Sequence, residues 1–137
     1  MGRLRKAMDN QFLLEALFIE YAIIEDRCES LLRHSGVFNP EKHDTLNKKL
    51  NRIAELARNK RALIGRYVSA ELIGRIRAWK EERNRLIHAL MKQKLTREEL
   101  AQIATEGQQI VRELCSKATS YKRAAEKERC AAGQTNG

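Results

Sequence analysis

Apolar residues recur at helical spacing from the start of the chain. Leu14, Leu17, Tyr21, Ile24, Cys28 and Leu31 follow one another at intervals of 3, 4, 3, 4 and 3 residues. That rhythm puts them on one stripe of an α-helix running from about Asp9 to Arg33. Phe12, Ile19 and Ile23 form a second set on the other side. A helix that is apolar on two faces needs two partners, the domain core and a further surface such as a second protomer. Ser35-Gly36-Val37-Phe38-Asn39-Pro40 then reads as a stop and turn.

Three more helices follow from the same pattern. About Glu41 to Lys60, the residues Leu46, Leu50, Ile53, Leu56 and Ala57 point to one side. Gly65 marks the next connection, and Ser69 is placed to cap a helix from about Ala70 to Lys92. Thr96 and Glu99 match a capping box for a last helix, about Arg97 to Lys127. Leu100, Ile103, Ile110, Leu114 and Cys115 form its apolar set, and Gly107 weakens it locally. Cys130 to Gly137 reads as a frayed tail, and the basic N-terminal start as flexible. The expected architecture is all-α: one domain, ordered over about 9–127, built as a four-helix up-and-down bundle.

Composition fits that picture and narrows it. The chain has 137 residues, 42% hydrophobic and 33% charged, with a single proline at position 40, a balance that suits amphipathic helices rather than disorder. Glu15 and Glu20 interrupt the most apolar stretch, Phe12 to Ile24, so no membrane span is expected. Nor is a secretory leader, since no cleavage pattern follows an apolar run. Cys28, Cys115 and Cys130 are odd in number and lack a CxxC spacing, which suits a reducing cytoplasm. No HExxH or ExxH spacing is present, so no metal is expected.

Charge adds a partner class. The net charge is +9. Residues 3–35 carry five Lys/Arg against six Asp/Glu, residues 41–66 eight against three, and residues 75–97 eight against two. The positive charge therefore gathers in the middle of the chain, where a polyanion such as RNA is the natural partner. A merely solubilising basic face is the plainer alternative. With aromatic content at 5%, base stacking on a sheet platform is not expected.

One residue breaks the pattern of the third long helix. At about 100° per residue, Leu72, Ile76, Trp79, Leu86, Ile87 and Leu90 all fall within about 60° of Arg83. An arginine at the centre of an apolar stripe is costly unless paired. Glu25 of the first helix lies on the side of Leu14, Phe18, Tyr21 and Leu32, and a buried Arg83–Glu25 ion pair is one explanation. The other uses the neighbours. Asn84 and His88 flank the stripe one turn apart. Arginine grips phosphate through a planar fork, histidine moves protons near neutrality, and asparagine can hold either in place. Together they could cleave RNA without metal, with Lys80, Arg85 and Lys92 of the same segment as candidate RNA contacts. His34 and His43, at the first interhelical turn, lack such company.

Arg83-Asn84-Arg85-Leu86-Ile87-His88 resembles the Arg-x4-6-His motif of HEPN domains, with asparagine after the arginine. The resemblance implies a HEPN-like bundle, a homodimer with the motif helices meeting at its interface, and no cofactor. It implies RNA cleavage through the substrate's own 2′-hydroxyl, leaving a cyclic phosphate. Arg83 would then stabilise phosphate charge, His88 would handle a proton and Asn84 would orient them. It further implies a toxin or antiviral effector, with an antitoxin or defence-system protein as a partner. In toxin members neutralised by a nucleotidyltransferase, a tyrosine stands two residues after the histidine; Leu90 stands there in this chain, so that neutralisation is not implied. Two alternatives remain open, a non-catalytic RNA- or protein-binding module and a purely structural dimerisation bundle.

Overall fold

In the computed structural model, residues 12–37, 44–59, 61–92 and 97–135 are described. Every regular element among them is helical: α1 (Leu13–Ser35), α2 (Leu46–Ala57), the single turn α3 (Ile64–Tyr67), α4 (Ala70–Met91) and α5 (Arg97–Thr135). Local chemistry explains most of the boundaries. Gly36 ends α1 in the left-handed conformation at φ 84°, its N–H donating to Arg33 O and that of Val37 to Leu32 O. This arrangement favours glycine. Thr45 caps α2 by accepting from Lys48 N, and Ser69 caps α4 by accepting from Leu72 N at 3.1 Å.

The differences from expectation also have causes. The expected starts near Asp9 and Glu41, and Thr96 of the capping box, lie outside the described residues. Helix α5 does not fray at Cys130 but continues to Thr135. Ala131 and Ala132 favour helix there, and Arg129 ties the segment to α1 by donating to His34 O at 2.7 Å. The turn α3 is an addition to the expected elements. Gly65 lets it sit on the end of α2, since a Cβ there would stand 2.8 Å from Asn59 O and 3.0 Å from Ala57 O.

Helix α1 lies along α5, and α5 along α4; α2 bridges α1 and α4. Leu13 and Leu14 share a groove with Arg97 and Leu100 at one end, and His34 meets Arg129 at the other, so α1 and α5 run parallel. Trp79 meets Ile103 and Arg75 meets Glu113. An up-and-down order would set the first and last long helices antiparallel, so the bundle does not alternate throughout. Trp79, Leu17, Ile24, Leu31, Leu50, Ile53, Leu72, Ile76 and Leu86 fill the centre. Two glycines in helices contrast. Gly107 lies under α1 and Trp79, whereas Gly74 has no atom within 4 Å of where a Cβ would stand. A glycine within a helix costs about 0.5–1 kcal/mol against alanine, so Gly74 forgoes stability for no packing reason.

Leu14, expected inside, is on the surface together with Phe12 and Phe18. Ile19 and Ile23, expected on a second face, instead pack half-buried against the core. The open apolar side of α1 is therefore that of Leu14 and Phe18, with Phe12 exposed just before the helix.

Candidate functional site

Arg83 leaves α4 from the buried stripe and reaches α1. Only 8% of it is exposed. Its guanidinium carbon lies 4.3 Å from the centre of the Tyr21 ring and 5.3 Å from that of Phe18. Nε donates to Leu17 O at 3.4 Å, and a terminal nitrogen donates to Asn84 Oδ1 at 3.2 Å. Aromatic faces and carbonyl oxygens thus take the place that a carboxylate would fill. Burial pulls the guanidinium's pKa down, while Tyr21 and Glu20 oppose that shift.

Close to Arg83 lies a second ionisable residue that the sequence pattern did not single out. Glu20 is fully buried, and neither carboxyl oxygen has a hydrogen-bond partner among the described residues. Burial raises its pKa to about 9, with Arg83 pulling the other way, so the carboxyl is protonated at neutral pH. The fold makes room for it at Gly107. A Cβ there would stand 2.2 Å from Glu20 Oε1 and 2.7 Å from Trp79 Nε1. Trp79 is held in turn by donating from Nε1 to Ile103 O at 3.0 Å. The sequence signals for this contact were an acid in an apolar run and a glycine in a long helix.

Glu25 does not pair with Arg83. It lies 3.6 Å from Lys49 Nζ, which also reaches Glu29 at 3.9 Å. Lys49 is buried along its stem, so the nearer cation of α2 takes the carboxylate expected at Arg83. Phe18, Tyr21, Glu25, Glu29, Lys49 and Arg83 line an open cleft of about 350 Å³ between α1 and α4. Asn84 and His88 are exposed and do not line it, although Asn84 touches its edge through Arg83. His88 sits in the last turn of α4. Lys80 is half-buried; Arg85 and Lys92 are exposed, and Arg85 is held by Glu82 through bonds of 3.0 and 2.9 Å.

The remaining chemistry is sparse. Burial pushes the Cys28 thiol up to about 12, which makes it unreactive. Among the described residues no three potential metal ligands gather, and no helix is long and apolar enough to cross a membrane. His34 Nδ1 donates to Ser30 O at 2.8 Å, and His43 lies outside the described residues. Comparison with known protein families, curated proteins and solved structures finds no match.

Proposed function

We propose that the chain is a HEPN-like, metal-independent RNA endonuclease that works as a homodimer, with Arg83, Asn84 and His88 as its reacting set. The observation that carries this is the state of Arg83: a cation at the edge of an open cleft, bonded to Asn84 and to no carboxylate among the described residues. Its charge is thus left for a phosphate. In the proposed reaction an RNA 2′-hydroxyl attacks the adjacent phosphorus, the bond to the 5′-oxygen breaks, and a 2′,3′-cyclic phosphate and a 5′-hydroxyl result. Arg83 bears the added charge on the phosphate oxygens. His88 of one copy takes the 2′-hydroxyl proton, and His88 of a second copy gives one to the leaving oxygen. Two copies are required because His88 lies outside the cleft that holds Arg83. The exposed Phe12, Leu14 and Phe18 offer an apolar surface for that pairing. A toxin or antiviral role, with an antitoxin or defence-system partner in the cytoplasm, follows from the same resemblance.

The test is cleavage of single-stranded RNA by the purified protein in EDTA. Activity should vanish in Arg83→Ala and His88→Ala, and cleavage that persists in both variants overturns the proposal. One observation favours a non-catalytic binding module instead: Glu25, Asp26 and Glu29 give the Arg83 cleft an acidic rim. On that alternative, a basic protein segment rather than RNA occupies the cleft, and the purified protein forms no cyclic phosphate from RNA.

A further inference from the structure

A second groove lies away from the Arg83 cleft. Ala54, Ala57 and Arg58 of α2 and its C-terminal end and Ala70, Ile73, Gly74 and Arg77 of α4 enclose about 280 Å³. Small side chains make its floor, and an arginine stands on each bank. Neither Arg58 nor Arg77 makes an ion pair or side-chain hydrogen bond among the described residues. Gly74 sharpens the case. A Cβ there would meet nothing, so packing does not explain a glycine in the interior of a helix. What its absent side chain does is keep the groove open.

The groove is also in line with the proposed reacting residues. Arg77, Asn84 and His88 are 7 and 4 residues apart, which puts them within about 40° of one another on α4. Eleven residues of helix carry Arg77 to His88 over about 16 Å. A stacked strand at about 3.4 Å per nucleotide covers that with about five nucleotides, and an extended one with fewer. Glu81 lies on the same face between the two stations and is exposed. The face between Arg77 and His88 is therefore not uniformly basic.

We propose that the α2–α4 groove is a single-stranded RNA subsite, in which Arg58 and Arg77 grip phosphates that flank a base laid on the Ala54–Ala57–Gly74 floor, a few nucleotides from the phosphate at His88. It rests on the nuclease proposal for its register with His88, but not for the binding itself.

The probe is a fluorescent single-stranded RNA, as a 12-mer and as a 3-mer, titrated at several salt concentrations. The Arg58→Gln/Arg77→Gln double variant should bind the 12-mer roughly tenfold or more weakly, and the slope of log K against log salt should fall by about 0.7 for each phosphate the variant no longer neutralises. The 3-mer, short enough to sit in the groove alone or at the reacting end alone, should lose less affinity than the 12-mer, which spans both. Gly74→Phe, which adds a ring in open space, should remain folded and weaken the 12-mer. Gly74→Ala should melt higher than the parent. An unchanged 12-mer affinity and salt slope in the double variant and in Gly74→Phe overturns the subsite, even if RNA is still cleaved. If the 12-mer weakens as expected and no RNA is cleaved, the subsite stands and the nuclease proposal fails. Equal weakening for a 12-mer of double-stranded RNA or for an acidic peptide overturns the assignment to a single strand.

Discussion

Glu20→Gln should convert a pH-sensitive protein into one that is far less so. The carboxyl ionises ordinarily near pH 4.5, and in the fold near 9, because burial disfavours the anion more than Arg83 favours it. Between those values the native state holds a proton that the unfolded state has released. The stability contributed by this group is therefore fully present below about 4.5 and is lost as pH rises, by about 1.4 kcal/mol per unit, levelling off only once the folded group ionises. From about pH 5 to about pH 7.5 this single group removes on the order of 3 kcal/mol. With an unfolding entropy of about 2.1 cal/mol/K per residue over 137 residues, that corresponds to a Tm shift of about 10 °C.

Glutamine has the same shape and does not titrate. Melting curves of parent and Glu20→Gln, followed by circular dichroism across that pH range, should thus diverge, with the variant gaining about 10 °C on the parent by pH 7.5. Every other titrating group is shared, so the difference between the curves isolates Glu20. Parallel curves would mean that the carboxylate is solvated or ion-paired in the fold, and would refute the account of a neutral acid buried against Gly107.

Two further substitutions probe the same region from other sides. Gly107→Ala gains up to about 1 kcal/mol of helix propensity. It also drives a methyl group into Glu20 and the Trp79 indole, at 2.2 and 2.7 Å, and overpacking of this kind costs about 1–3 kcal/mol before the Trp79–Ile103 bond is disturbed. Tm should therefore fall, and a rise would show that the two side chains do not bear on α5. Arg83→Lys keeps the charge but removes the flat fork that lies on Tyr21 and bonds Leu17 O and Asn84. RNA cleavage should drop about tenfold to a hundredfold, the equivalent of about 1.5–3 kcal/mol of charge-assisted bonding, and Tm should fall as well, since the contacts with Leu17 O, Asn84 and Tyr21 are lost. Full activity in Arg83→Lys would reduce Arg83 to a point charge.

The four long helices were legible because their signals are local. Thr45, Ser69 and Gly36 act within a turn of themselves, and the apolar spacing of α4 carries through to Leu72, Ile76, Trp79 and Leu86 in the core. What escaped depends on contacts distant in sequence. The parallel course of α1 and α5 shows only in contacts between the two ends of the chain, Leu14 beside Leu100 and His34 with Arg129. The partner of Glu25 could not be read from helical wheels, because Lys49 and Arg83 line the same cleft as Glu25 and only the placement of α2 decides between them. Glu20 looked like an interruption of an apolar run, and Gly107 like a weak point in α5. Each explains the other, but their positions are 87 residues apart.

That pairing bears on what Arg83 can do. A guanidinium buried against an ionised carboxylate is neutralised, and an incoming phosphate would have to displace the partner. The sequence invited such a pair, and the fold withholds it twice. Glu25 is drawn off to Lys49, and Glu20, the acid close to Arg83, is kept protonated by its own burial. Arg83 is left with ring faces and carbonyl oxygens, which hold the fork in place without cancelling its charge. If Glu20 were to ionise, the first group to feel it would be Arg83. Anion binding at the cleft should therefore weaken as pH approaches 9 in the parent and not in Glu20→Gln, a comparison readable by titrating a short RNA at about pH 7 and about pH 9. Equal weakening in both proteins would separate Arg83 from Glu20 and leave its charge to be explained by the cleft alone.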